Sequence, residues 1–261
     1  MHEVEIEKYD LSTKTSKKIA DYVAEEKPLH LFVNTTYWAT ILCSPLKLKE
    51  MAVGHLLSEG ILKSTMEIEE VTLKENEGTC VVRLKAEINV DERLSLSRLH
   101  QRIVTSACGE QSIYQYQRKP AKVTSNLTVK AEVVFNSVNQ LNFKAEVFRQ
   151  TGGVHAAAIY KADGSLVALA EDVGRHNAVD KVIGMAALKQ TSFGECFLTS
   201  TGRLSGDIVF KASKVGLPIV ASLGAALDSG VAMAEAANLT LAGFVRGKRI
   251  NVYCYPERIV L

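Results

Sequence analysis

The sequence predicts an α/β protein (α+β overall), with a helix-covered sheet in its C-terminal half and a smaller strand-rich N-terminal half. Past about residue 136, helical stretches alternate with short apolar runs: "HNAVDKVIGMAALK", "ECFLTS", "SGDIVFKASKVG", "LPIVASL", "DSGVAMAEAAN" and "LTLAGFV". That alternation is the mark of a mostly parallel sheet buried on both faces. Before residue 136, β-rich runs dominate and one helical pattern interrupts them. The predicted division is therefore 1–135 and 136–261, and 261 residues suffice for one large domain or two modest ones.

In chain order, "LHLFVN" and "WATILC" read as strands with a short polar break. "SPLKLKEMAVGHLLSEGIL" reads as a helix capped by Ser44, with Pro45 in its first turn and Gly60 at its end. Leu48, Met51, Ala52, His55 and Leu56 share one face of it. "MEIEEVTLKE" and "TCVVRLK" flank the hairpin turn "NEG". Periodicity weakens from about 86 to 122, where "TSACGEQSIY" holds Cys108. Ser137 then precedes a helix in which Leu141, Ala145 and Phe148 share a face. "HAAAIY" and "LVALAE", separated by "KADGS", form a second hairpin, and "RINVYCY" closes the sheet. No internal repeat stands out.

Composition narrows the function classes. Hydrophobic residues make up 47% and charged residues 23%, as in ordinary globular proteins. A net charge of +2 does not argue for nucleic acid as a partner. No apolar run is long enough for a membrane span, and the charged N-terminus lacks a signal-peptide core, so the expected location is cytoplasmic. The five cysteines, at 43, 80, 108, 196 and 254, form no CxxC pair and no zinc spacing. Cys43, Cys80, Cys196 and Cys254 fall in or at the ends of strand-like runs, which predicts packed thiols. Cys108 lies among small and polar residues before Gly109. Its context fits a reactive thiol and a small filler equally, because reactivity depends on exposure and nearby charge.

Sheets of this kind bind ligands at the carboxyl ends of their strands. Those ends carry "TGGVHA" with Gly152, Gly153 and His155, and "AEDVGRHNAVDK" with Arg175, His176 and Asn177. They also carry "TSTGRLSGD", with Thr199, Ser200, Gly202 and Arg203, and "FVRGKR", with Phe244, Val245, Arg246, Gly247, Lys248 and Arg249. Helix N-termini and arginine forks together suit an anion. Each loop has an ordinary alternative: helix caps, structural histidines, or a solvated hairpin turn for "RGKR". "STGRLSG" is like a phosphate-holding turn but lacks the full P-loop pattern.

Taken together, "TGGVHAAAIYKADGSLVALAEDVGRHNAVDKVIG", "TSTGRLSGDIVFKASKVGLPIVAS", "LTLAGFVRGKRINVYCYPERI" and "MAVGHLLSEGIL" resemble the FdhD family of formate dehydrogenase accessory proteins, from about residue 28 to the end. The resemblance implies a cytidine-deaminase-like three-layer α/β/α C-terminal domain. It implies a sulfur carrier that takes persulfide sulfur from a cysteine desulfurase on Cys108. The sulfur then goes to the molybdenum bis-guanine-dinucleotide cofactor, a bound substrate held by Phe244 to Arg249 and the other strand-end residues, before insertion into the formate dehydrogenase catalytic subunit. No permanently held metal, nucleic acid or membrane is implied, and a homodimer is left open. Many members carry C-x-x-C in the loop, whereas position 111 here is Gln111, so a resolving thiol is missing. A non-catalytic chaperone for the cofactor is the alternative. A zinc deaminase is excluded, because His155 is followed by Ala156 and Ala157 and no P-C-x-x-C exists.

Overall fold

In β3 (Lys27–Val33) and β4 (Thr36–Cys43) every second side chain is apolar and buried: Leu29, Leu31 and Val33 on one, Ala39, Ile41 and Cys43 on the other. The period of two aims one face of the first sheet inward. The structure, a computed structural model, describes residues 1–90, 92–93, 103–104 and 119–261. The Cys108 loop lies outside them. β5 (Ile68–Lys74) and β6 (Thr79–Leu84) form the expected hairpin through Gly78, whose φ of 58° suits the turn. The sheet runs β5-β6-β3-β4-β7, with β7 (Ile103–Val104) at the edge.

Helix α1 spans Leu48–Ser58, later than its predicted start. Ser44 does not cap it. The Ser44 N–H donates to Asp172 Oδ2 (3.0 Å), and its hydroxyl accepts from the Val173 N–H (3.1 Å). The chain stays irregular until Lys47, at φ 57°. Gly60 ends the helix as expected, at φ 77°.

The next helix also departs from expectation. α2 runs Ala131–Lys144, so Ser137 lies buried inside it, and the expected division at 135/136 falls within one helix. It breaks at Ala145. α3 (Glu146–Thr151) restarts there because the Glu171 carboxylate accepts from the N–H groups of Val147 (3.1 Å) and Phe148 (2.7 Å). Leu141 and Ala145 are buried as predicted.

The second sheet contains β9 (His155–Lys161), β10 (Leu166–Asp172), β11 (Cys196–Ser200), β12 (Ile219–Ser222), β13 (Thr240–Arg246) and β14 (Arg249–Cys254), in the order β10-β9-β11-β12-β13-β14. It is mixed rather than mostly parallel. Among neighbouring strands only β11–β12 and β12–β13 are parallel, the neighbours joined through helices, α5 (Gly206–Lys214) and α6 (Asp228–Ala237). Hairpins supply the antiparallel outer pairs β9–β10 and β13–β14, and β11 also meets β9 antiparallel. β8 (Val129–Lys130) and β15 (Ile259–Val260) pair separately.

Alternation along β9 divides two cores. Ala156, Ala158 and Tyr160 face Val134, Val138 and Leu141 of α2. Ala157 and Ile159 face the other way, into a core shared with Val179 and Ile183 of α4 (Arg175–Leu188), Met51 and Leu56 of α1, and Leu31 and Ile41 of the first sheet. The layers are therefore helix, sheet, helices, sheet. The charged N-terminus forms a hairpin the sequence reading did not anticipate, β1 (His2–Asp10) with β2 (Thr15–Val23), and none of its residues is buried.

Candidate functional site

β10, β11, β12 and β13 end on one edge of the second sheet, at Asp172, Ser200, Ser222 and Arg246. β9 and β14 begin there, at His155 and Arg249, and α4, α5 and α6 start from the same edge. Several helix N-termini and their partial positive charge are thus gathered in one place.

The start of α4 is fixed by Asp172. Its carboxylate accepts from the N–H groups of Ser44 (3.0 Å) and Gly174 (2.9 Å) and from Asn177 Nδ2 (3.0 Å), and it pairs with Lys181 Nζ at 2.6 Å. Asp172 and Lys181 side chains are wholly buried. A buried pair holds only when its remaining hydrogen-bond capacity is met, as here. Lys181 also donates to Ser44 O (2.9 Å), and Asn177 donates to Leu42 O (2.8 Å), which ties the end of β4 to the base of α4. Arg175 and His176 ride on that base.

The loops after β11 and β12 repeat one device. Ser200 Oγ accepts from the Gly202 N–H, and Ser222 Oγ accepts from the Gly224 N–H, each at 3.0 Å. The same S-x-G turn ends both strands. The loops then lie backbone on backbone. A Cβ on Gly224 would come within 2.6 Å of Gly202 O, and one on Gly243 within 3.1 Å of Gly224 O. A Cβ on Gly202 would lie 2.9 Å from Arg175 Cβ, so that glycine is the seat of the arginine. Leu204 and Ala226 form a parallel bridge across the two loops.

On the far side, Phe244 sits in a bulge at φ 50°, and its N–H donates to Gly224 O (2.9 Å). A bulky residue in that region is strained and is held by its surroundings. The Arg246 guanidinium lies over its ring, 5.3 Å from the centroid. Gly247 and Lys248, both at φ 59°, make the tight two-residue turn between Arg246 and Arg249, and all four are exposed.

The histidines of this edge are neutral at pH 7. Burial, then Arg175 and Arg203, lowers the pKa of His155, whose Nδ1 lies 3.3 Å from Thr201 Oγ1. Burial, then Arg175 and Lys211, pushes His176 down to about 3. The positive charge therefore comes from guanidinium and ammonium groups, the groups that bind phosphates by fork or point charge.

Of the residues named from the sequence, His155, Arg175, Gly202, Arg203, Phe244 and Arg246 are brought to this edge, beside the turn Gly247–Arg249. Thr199, Asn177 and Val245 are buried in the framework: Thr199 Oγ1 donates to Ala158 O (3.3 Å), and Val245 belongs to the α2-side core. Ser200 serves the turn, and His176 lies behind the edge with Nε2 3.4 Å from Ser205 Oγ. Gly152 ends α3 at φ 63°, and Gly153 abuts Ala24. Ser44, Lys181, Ser222 and Gly224 were missed. The recurrence of S-x-G at 200–202 and 222–224 is the signal that would have found the last two. Cys43, Cys80, Cys196 and Cys254 are buried, with thiol pKa values raised by burial, to about 12 for Cys43 and Cys80. Among the described residues, no group of three or more His, Cys, Asp or Glu could hold a metal ion, and no helix is long and apolar enough to cross a membrane.

Residues 24–260 match the FdhD/NarQ family. A sulfur carrier protein FdhD from Saccharolobus solfataricus is 37% identical, covering 98% of this chain and 99% of the relative. The protein of that name from Shouchella clausii is 35% identical, covering 94% and 92%. Among solved structures, one described as a formate dehydrogenase accessory protein from Desulfotalea psychrophila superposes with a TM-score of 0.80 at 25% identity, covering 99% of both chains.

Proposed function

The chain belongs to the FdhD/NarQ family, and from that premise we propose that it is a sulfur carrier, a sulfurtransferase in the service of formate dehydrogenase. The Cys108 thiolate attacks the outer sulfur of a cysteine desulfurase persulfide. A new S–S bond forms, the desulfurase cysteine leaves as thiolate, and Cys108 becomes the persulfide with no net oxidation. One thiolate is enough for this step, so Gln111 in place of a second cysteine does not prevent it. The substrate that receives the sulfur is the molybdenum bis-guanine-dinucleotide cofactor, before its insertion into the catalytic subunit.

The observation that carries this reading is the shared strand edge. Three helix N-termini are gathered with Arg175, Arg203 and Arg246 around a line of glycines that packs the loops backbone on backbone. A large polyanion with flat rings needs those features: N–H and guanidinium donors for pyrophosphate, and an aromatic–arginine stack at Phe244 for a base.

The test is mass analysis after incubation with a cysteine desulfurase and cysteine. The Cys108 peptide gains one sulfur, and the Cys108→Ser protein gains none and fails to restore formate dehydrogenase in a strain lacking the native protein. Restoration by Cys108→Ser would leave only cofactor holding and favour the chaperone.

A further inference from the structure

Helix α3 is pinned at one end. Ala145, between α2 and α3, leaves helical backbone at φ −79°, ψ 93°, and its side chain is buried. Beside it the Glu171 carboxylate accepts from the N–H groups of Val147 and Phe148, which fastens the start of α3 to β10. Phe148 adds partial packing on the α2-side core. The other end has no such hold. No residue of α3 is buried. Gly152 and Gly153 follow it, both exposed, and a Cβ on Gly152 would meet no atom within 4 Å. A short helix fastened at its start and released by two glycines at its end can tilt as a unit.

Arg149 stands in the last turn of that free end and is exposed. Among the described residues its side chain makes no ion pair, hydrogen bond or ring contact. From it the chain runs through the two glycines into His155, whose Nδ1 lies 3.3 Å from Thr201 Oγ1 at the strand edge. That span is at most about 20 Å when extended. A guanidinium on a hinged element, beside the fixed guanidinium groups of Arg175 and Arg203, can close on an anion those groups already hold.

The geometry points to Arg149 as a further phosphate-binding residue: α3 tilts about Ala145 and Glu171, and the Arg149 guanidinium closes on the diphosphate of a nucleotide seated at the strand edge. The assignment rests on the reading that this edge holds the nucleotide of the cofactor, and it adds to that reading a residue and a movement. The contact forms after capture, so it slows release of the ligand.

Guanosine diphosphate is the probe. In calorimetry Arg149→Gln should bind it about tenfold more weakly, the worth of a charge-assisted hydrogen bond, and Arg149→Lys should regain part of the loss. Stopped-flow measurement should show the loss as faster release. In wild type the nucleotide should slow amide exchange across 146–153; Arg149→Gln should lose that protection and keep the protection of the loops after β11 and β12. A lower melting temperature of ligand-free Arg149→Gln with unchanged affinity would assign Arg149 to the C-terminal end of the α3 dipole and overturn the proposal. So would binding that protects the loops after β11 and β12 while 146–153 and the Arg149→Gln affinity stay unaltered, a result that leaves the strand-edge reading intact. Wild-type protein that binds no guanosine diphosphate removes the strand-edge reading itself, and the role of Arg149 with it.

Discussion

Gly54 of α1 and Gly184 of α4 face each other where the two helices cross. A Cβ on Gly54 would overlap Asp180 O and come within 2.7 Å of Gly184 N, and a Cβ on Gly184 would overlap Glu50 O and lie 2.9 Å from Gly54 N. The backbones touch, with no side chain between them. This crossing joins the first sheet to the second, because α1 carries the core of one and α4 the core of the other.

Gly54→Ala and Gly184→Ala should therefore each cost well over the gain in helix propensity of about 1 kcal/mol. The obstacle is backbone, which cannot rotate away, so the helices must separate and open the core on either side. Overpacking of this kind costs about 1–3 kcal/mol and occasionally more. Urea unfolding of the purified variants measures it, and an alanine variant as stable as wild type would show that the helices can part freely.

One turn before that crossing, Lys211 donates to both Asp180 oxygens at 2.9 Å and to Glu59 at 3.1 Å, while His55 Nδ1 and the Ser58 hydroxyl also meet the Asp180 carboxylate. Both partners are nearly fully buried. Lys211→Met leaves a buried carboxylate without its ammonium partner and should cost about 3–5 kcal/mol. Asp180→Asn/Lys211→Met should cost less than the sum of the single changes, because the second change removes the orphaned charge. A double-mutant cycle in urea reads that coupling; simple additivity would show the pair to be inert.

Acid should destabilise the protein in a defined window. His176 in the folded state has its pKa pushed down from 6.5 to about 3. Between those values the unfolded chain binds a proton that the folded chain refuses, so stability rises with pH across the window, by up to about 1.4 kcal/mol per pH unit, and levels off outside it. His155, also lowered, acts in the same sense. Asp180, held below its ordinary 3.8, adds a loss only as pH falls beneath that value. His176→Gln should flatten the profile between pH 6 and about 4. An unchanged slope in that variant would assign the acid loss elsewhere.

The glycine line gives a more local expectation. Gly224→Ala pushes a methyl group against Gly202 O and the Arg203 N–H, where the atoms struck are backbone. The loop after β11 must move, and Arg203 with it, while the sheet behind keeps its pairing. Affinity for guanosine diphosphate, measured by calorimetry, should fall at least tenfold with a much smaller loss of stability. Unaltered affinity would place the nucleotide away from these loops.

Much of this architecture was legible where local chemistry dictates it. "KADGS" and "NEG" between apolar alternations can hardly be anything but hairpins, and Gly60 ends α1 because a positive φ is required there. Strand direction was not legible, since an apolar run of five residues looks alike in parallel and antiparallel neighbours. The start of α2 was obscured because Lys130 provides no capping side chain, and Ser137 offered a false one. Ser44 misled for a tertiary reason: its N–H answers to Asp172, 128 residues away, and its hydroxyl to the Val173 N–H. The N-terminal hairpin shows a faint alternation at Val4 and Ile6 against Ile19, outweighed by its charges. In the candidate site, the arginines were readable as residue types; the packing of Arg175 on Gly202, and of the loops on one another at Gly224 and Gly243, needed the fold.

Thiol chemistry offers the sharpest check on the carrier role, because the other four cysteines should be silent. Cys43, Cys80, Cys196 and Cys254 are at most 5% exposed, and burial raises each pKa, so at pH 8 almost none is thiolate and none is within reach of a bulky reagent. Native protein treated with an aromatic disulfide reagent at pH 8 should therefore release one equivalent of chromophore quickly, and Cys108→Ser none, while both release the rest only in denaturant. A fast equivalent that survives Cys108→Ser would assign reactivity to a thiol the fold has sealed. No fast equivalent in wild type would remove the accessible sulfur on which persulfide transfer depends.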